Sequence, residues 1–179
     1  MREEIDAQGL LLRPWTDRDA EAVVTAHDEP LRRLRAPEPI DTVEAALRWI
    51  RLRDERREEG SAFSFAVVDA ADTVLGDVTL SEIERRHSTG WISYWTTAAA
   101  RRRGVATRAC RAVSRWAFDE VGLFRLELGH TIDNSASCRV ATAAGFAVEG
   151  RERARLLYGG IRHDVERHAR LVTDPEPRA

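Results

Sequence analysis

Phe63, Phe65 and Val67 take every second position in one run and Val74 to Leu80 makes a second, with Asp69-Ala70-Ala71-Asp72 between the two runs. A period of two on either side of a turn predicts an antiparallel hairpin. Trp91 to Trp95, entered at Gly90, predicts the next strand over, and Phe124 to Leu128 predicts another. Leu10 to Trp15 reads as the first strand; Phe146 to Val148 and Val165 to Leu171 read as the last two, joined through Tyr158-Gly159-Gly160. Between these runs the period changes to that of a helix. Val105, Ala109, Val113, Trp116 and Ala117 share one helical face, while Arg108, Arg111 and Arg115 share another, so this helix packs on a sheet and shows arginine to water. Thr16 to Asp19 has capping-box spacing ahead of a short helix. Asp41-Thr42 caps a second one, with Ala45, Leu47, Trp49, Ile50 and Leu52 as its apolar positions and Gly60 beyond it. Asn134 opens the last helix and Gly145 stops it. The order is strand, helices, three antiparallel strands, helix, strand, helix, two strands, which is an α+β plan.

At 179 residues with 43% hydrophobic content, the chain can bury one sizeable core. Residues 1–172 are expected to form a single domain, and Thr173 to Ala179, with two prolines and few apolar groups, a frayed tail. A net charge of -2 argues against a general binder of nucleic acid or anionic membrane. No apolar run approaches membrane-spanning length, and Met1-Arg2-Glu3-Glu4 lacks signal-peptide chemistry, so a soluble, cytoplasmic protein is expected. The chain has no lysine, which excludes Schiff-base chemistry and leaves arginine as the only permanent cation. Cys110 and Cys138 fall on predicted helices without metal-ligand spacing and read as small buried hydrophobes. His87, His163 and His168 have no partner at ligand spacing, and His130, at the end of the Phe124 strand, reads as a core or edge histidine; no metal is expected.

One stretch carries chemistry by itself. Arg101-Arg102-Arg103-Gly104-Val105-Ala106-Thr107 lies between the Trp91 strand and the amphipathic helix. Gly104 and Ala106 leave the backbone bare, so consecutive N–H groups at a helix start can point at one anion with the helix dipole behind them. No Gly-Lys-Ser/Thr follows, as a Walker loop would require, and the three glycines of a dinucleotide fingerprint are missing. About thirty residues on, Asn134-Ser135-Ala136-Ser137 runs into Gly145-Phe146 and Glu149-Gly150.

In that order and spacing, Arg-x-x-Gly-x-Ala followed by Asn-x-x-Ser, Gly-Phe and Glu-Gly resembles the GNAT superfamily of N-acetyltransferases, and most of all its RimJ/RimL-type branch, which acts on protein N-termini. The resemblance implies a mixed, mostly antiparallel sheet of six to seven strands flanked by about four helices. In such a sheet the fourth and fifth strands, here Trp91–Trp95 and Phe124–Leu128, splay apart to admit the pantetheine arm of acetyl-CoA. It implies main-chain hydrogen bonds to the cofactor from Trp95 and Thr96, a diphosphate cradle over Arg101, Arg102, Arg103, Gly104, Val105, Ala106 and Thr107, and cofactor contacts from Asn134, Ser137 and Phe146. Ser137 stands where such enzymes stabilise or protonate the departing thiolate; where many other members carry a tyrosine for that task, one turn on, this chain has Ala141. The glutamate that RimJ/RimL-type enzymes can carry before the final hairpin falls on Leu156, a departure from the pattern.

The expected activity is transfer of acetyl from acetyl-CoA to a primary amine, of a protein N-terminus or a small molecule, by direct attack in a ternary complex and with no metal. The alternative is a module of the same fold that senses acetyl-CoA without transferring it. Glu82 is the candidate base, with Glu84 on the same side. Glu82, Glu84 and Asp164 would draw in a cationic amine, against which Arg33, Arg35 and Arg85 would act. Trp15, Trp49, Trp91 and Trp95 are candidates either for core or for the acceptor cleft. Expected partners are acetyl-CoA and the amine, with no nucleic acid and no membrane, in a monomer or a homodimer.

Overall fold

The computed structural model describes residues 4–29 and 39–177; Arg33 and Arg35 lie outside the described residues. Eight strands form one open sheet: β1 (Ile5–Asp6), β2 (Leu11–Arg13), β3 (Phe63–Val68), β4 (Val74–Glu84), β5 (Thr89–Thr96), β6 (Arg125–Thr131), β7 (Ala147–Tyr158) and β8 (Ile161–Leu171). Their spatial order is β1-β2-β3-β4-β5-β6-β8-β7, antiparallel except for the β5/β6 pair. Among the described residues the α-helices are α1 (Ala20–His27), α2 (Val43–Glu58), α3 (Val105–Asp119) and α4 (Ser135–Ala143). The expected six to seven strands become eight because Ile5–Asp6 pairs with Leu11–Leu12, a two-residue strand too short to show a period. The last hairpin is also longer than expected, since β7 starts at Ala147 and runs to Tyr158.

The α+β plan holds because β3 is buried along its whole length and feeds two cores. Phe63, Phe65 and Val67 face α3 and α4, where Trp116 stands edge-on to both phenylalanine rings; Ala66 and Val68 face α1 and α2 with Trp15, Val23 and Ile50. A strand buried on both faces cannot alternate apolar with polar, and only Ser64 interrupts the run. Helix α3 supplies Val105, Ala109, Cys110, Val113, Trp116 and Ala117 to the first core, as its stripe predicts.

A buried ion pair fastens the entry into α1. Arg13, on β2, donates two hydrogen bonds to Asp19 at 2.8 and 2.9 Å and a third to Asp72 at 2.8 Å. Asp19 also accepts the Thr16 N–H and hydroxyl at 2.9 Å, the capping box read from the sequence. Burial opposes ionisation of Asp19, but the Arg13 and Thr16 hydrogen bonds outweigh it and hold the carboxyl below its ordinary value. A carboxyl depressed in the folded state adds stability above its unfolded pKa, about 3.9, and that contribution is lost as pH falls through the lower folded value. Asp19→Asn leaves Arg13 half-paired in the core and is expected to lower stability by about 3 kcal/mol near neutrality. In urea titrations at a series of pH values, the variant should also lose less stability than the wild type below about pH 4; equal acid sensitivity would contradict this role.

Gly76 fixes the approach of β4 to β5. A Cβ there would stand 2.2 Å from the Trp95 carbonyl oxygen, a backbone atom that cannot swing away. Gly76→Ala is therefore expected to shift β5 and lower stability by about 1–3 kcal/mol, measured by thermal unfolding. An unchanged melting temperature would show that β5 moves freely at this point.

Candidate active site

β5 and β6 run parallel but pair only at Thr89, Gly90 and Trp91 with Arg125, Leu126 and Glu127. Beyond Trp91 they part. The gap forms a hollow of about 130 Å³ between Ile92, Ser93 and Tyr94 of β5 and Leu128 to Thr131 of β6. Asn134 and Ser137 of α4 close one side, and Leu156 and Tyr158 of β7 another. A second, larger hollow of about 600 Å³ lies along the same α4, between its outer face (Ala136, Arg139, Val140, Ala143) and the start of α3.

The larger hollow gathers most of the loop singled out by sequence. Thr96, Arg101, Arg102, Gly104, Val105, Ala106 and Thr107 line it. Gly104 is the N-cap of α3, in the left-handed region at φ 71°, and Arg102 also has positive φ at 59°. This curl delivers the chain into a 15-residue helix whose first residues line the hollow, with no acidic side chain in the first turn. Arg103 does not line it; its carbonyl accepts from Arg108 at 3.4 Å. Arg101 pairs with Glu29, and Arg139, which sequence reasoning passed over, adds a guanidinium from α4 and donates to Ser135 at 3.3 Å.

The smaller hollow holds Asn134 and Ser137. The Asn134 side chain accepts the Ser137 N–H at 3.1 Å, capping α4 and bringing both residues to the gap. Tyr94, missed by the sequence reading, donates its hydroxyl to the Ser137 carbonyl at 3.2 Å and ties β5 to α4. Burial pushes its phenol far above the ordinary value, so it keeps its proton. Its signal was the alternation of Trp91 to Trp95, which puts Tyr94 on the face opposite the outer tryptophans.

Other expected residues lie elsewhere. Phe146 is 2% exposed, in the first core behind α4. The Trp95 side chain stacks on Trp15 at 5.9 Å, and Trp49 meets Trp15 edge-on at 5.1 Å, so these three build the second core with His27; Trp91 instead lies under Arg167. Trp95 lines neither hollow, and its main-chain carbonyl lies against Gly76 of β4, on the side away from β6. Glu82 is not brought to the cleft: Ser81 pairs with Trp91 and Glu84 with Thr89, so Glu82 lies where β5 and β6 are still joined. An extra residue between Ser81 and Glu84 makes a bulge, with Glu82 at φ 50°, and this breaks the alternation that put Glu84 on the same side. Glu84 accepts the Arg86 N–H, and Asp164 is held by Arg151 and the Ala154 N–H. Among the described residues lining the smaller hollow there is no carboxylate, and the RimJ/RimL-type glutamate position is filled by the apolar wall of Leu156.

His130 also lines this hollow, with both ring nitrogens engaged. Nδ1 lies 3.0 Å from the Thr131 carbonyl and Nε2 lies 3.0 Å from Nε2 of His168, a neighbour on β8 that is 1% exposed. The His168 ring is set from that side, since its Nδ1 is buried without a hydrogen-bond partner. Glu166 reaches His168 Nε2 at 3.0 Å and accepts from the Cys138 thiol at 3.4 Å. Glu166 thus holds that thiol above its ordinary value.

A splayed parallel pair, a bare helix start and an Asn-capped helix at the gap define an acyltransferase domain. The model of the acetyltransferase (GNAT) domain matches residues 9–147. The chain belongs to the GNAT family, and it is an N-acetyltransferase. It is 34% identical over 137 residues to the protein described as probable N-acetyltransferase YjcK of Bacillus subtilis, covering 75% of this chain and 76% of that one. Among solved structures it resembles RimL, a ribosomal L7/L12 alpha-N-protein acetyltransferase in complex with coenzyme A. That match has TM-score 0.87 and 21% identity, over 95% of this chain and 98% of the other. It also resembles the microcin C7 self-immunity acetyltransferase MccE in complex with acetyl-CoA and AMP, with TM-score 0.85 and 17% identity over 96% and 98%.

Gly104 has open space where a Cβ would go, so its requirement is conformational alone. Gly104→Ala is expected to lower stability by about 1–2 kcal/mol through the left-handed backbone, read as a lower urea midpoint. No change in midpoint would mean that the start of α3 rearranges without strain.

Proposed function

We propose that residues 1–172 form one enzyme domain that moves the acetyl group of acetyl-CoA to a primary amine, of a peptide N-terminus or a small molecule, by direct attack in a ternary complex. The observation that carries this is the parting of β5 and β6 beside the bare start of α3. The diphosphate sits on the N–H groups from Gly104 to Thr107, with Arg101, Arg102 and Arg139 around it and Arg103 outside the hollow. Pantetheine runs along α4 into the gap, where the main chain of Thr96, expected together with Trp95, supplies hydrogen bonds that β6 no longer supplies, while the Trp95 carbonyl stays against Gly76 of β4. The acetyl carbonyl lies by a main-chain N–H of β5. Such a donor stabilises the oxyanion by about 3–4 kcal/mol where it has been isolated.

Asn134 shapes the wall, and Ser137, one turn into α4, gives a proton or hydrogen bond to the departing thiolate. The amine loses its proton to water, which fits a cleft wall without a carboxylate. Cys110 is fully buried with its thiol pushed up to about 12, which leaves no thiolate there for a covalent acyl-enzyme. Two free cysteines also fit a reducing, cytoplasmic setting. The outer strand β7 exposes Val148 at one end and Leu157 near Ile161 of β8 at the other, an edge suited to a second copy of the chain.

Incubation with acetyl-CoA, a panel of small amines and peptides beginning with Ser or Ala, followed by release of free thiol, tests the reading. Turnover with a peptide or with a small amine assigns the acceptor. Binding without turnover on any amine favours an acetyl-CoA sensor, and calorimetry with no heat from coenzyme A overturns the reading. Ser137→Ala is expected to lower kcat by about 10–100-fold with nearly unchanged affinity for coenzyme A; equal turnover would remove Ser137 from the mechanism.

A further inference from the structure

His130, Cys138, Glu166 and His168 come from three separate elements, β6, α4 and β8, yet offer ligand atoms that all lie within 4.8 Å of one another. We propose that these four side chains form a structural zinc site beneath the start of α4. Two imidazole nitrogens, a thiolate and a carboxylate oxygen are a donor set that suits zinc in a closed, tetrahedral sphere.

Four of the six edges come close to such a sphere, and the other two, from Cys138 to the two histidines, are within 4.8 Å. With zinc bonds of about 2.0–2.3 Å, the edges of the tetrahedron are about 3.3–3.5 Å. The Cys138–Glu166 and His130–Glu166 separations are 3.4 and 3.5 Å, and the two 3.0 Å separations at His168 need only a few tenths of an ångström of expansion. The outer shell is in place for His130. Its Nδ1 faces the Thr131 carbonyl, which selects the tautomer whose Nε2 lone pair points at the cluster. Both histidines are buried, at 7% and 1% exposure, and among the described residues their Nε2 atoms meet each other and Glu166. Binding releases the Cys138 proton to solvent and forms one bond from each donor, with no change of oxidation state.

The site joins the three elements that surround Ser137. Cys138 follows Ser137 directly, and His130 lines the same hollow. Zinc there anchors the first turn of α4 to β6 and β8 and holds the gap at a fixed width. The four protein ligands complete the sphere, so the metal takes no part in acetyl transfer.

Untagged protein, purified without chelator from cells grown with zinc, is analysed for metal by mass spectrometry. About one zinc per chain is expected. After zinc removal, titration with cobalt should give the visible bands of tetrahedral cobalt and near-ultraviolet thiolate-to-cobalt charge transfer at one equivalent. Cys138→Ser should abolish the charge-transfer band and weaken zinc binding by more than the roughly 10–100-fold that losing an outer-shell partner causes. Zinc should raise the melting temperature of the wild type and not that of Cys138→Ser, a readout independent of catalysis. Folded wild-type protein that retains no zinc and gives no such bands overturns the proposal, as do bands that persist unchanged in Cys138→Ser. A metal-free protein whose pH–rate profile shifts in Glu166→Gln would reassign the cluster to proton transfer.

Discussion

The parting of β5 from β6 after three residue pairs is the constraint from which the rest of the site follows. Buried N–H and C=O groups have to be paired, so two strands that separate inside a sheet need something between them. The chain itself fills only the sides of the gap. Tyr94 reaches across to the α4 backbone, Asn134 turns that helix into place, and Leu156 and Tyr158 arrive from the outer hairpin. On the other side, β4 grips β5 at Gly76, where no side chain could fit beneath the Trp95 carbonyl. A fixed wall and an open wall together make a slot for an extended, amide-rich guest. The bare start of α3 stands at its outer end, because α3 follows β5 after a short turn.

Local signals were legible in the sequence wherever one stretch of chain does the whole job. The start of α3 needs a glycine in the left-handed region and a run of free N–H groups, and Gly104 with its small neighbours states both. The α4 cap needs an Asn three residues before an N–H it can accept, which is what Asn134 and Ser137 show. The amphipathic stripe of α3 likewise reproduces its buried face. Strand parity, in contrast, was legible only until a bulge reset it. The extra residue before Glu84 removed Glu82 and Glu84 from the place that simple alternation gave them. Phe146 was drawn toward the site by the motif it belongs to, although its own contacts are with the core.

What spacing along the chain could not show is register between strands distant in sequence. His130 and Glu166 are 36 positions apart but directly opposite in the β6/β8 ladder, and Leu128 faces His168. Leu126, Leu128 and His130 then share the face that α3 and α4 cover, while Glu166, His168 and Arg170 share it from β8. No ligand-spacing rule finds such a set, because its members are assembled by pairing. The tryptophans illustrate the same limit in reverse. Trp15, Trp49 and Trp95 look available for an acceptor cleft until β2, α2 and β5 are laid together, and then they spend their faces on one another.

Helix α4 joins these levels, since its first turn is cap, cleft wall and cluster partner within five residues. Asn134 satisfies the Ser137 N–H, Ser137 lines the gap, and the Cys138 thiol reaches Glu166. Consecutive positions on a helix are about 100° apart, so neighbours must look in different directions. That geometry lets one side of the turn be held while the other stays open to a substrate. A nine-residue helix has little stability of its own, and its first turn is the part most prone to fray. The position of Ser137 is therefore set less by the helix than by what ties it down: the Tyr94 hydroxyl on its carbonyl, the Asn134 amide oxygen on its N–H, and the buried donors grouped around the residue that follows it.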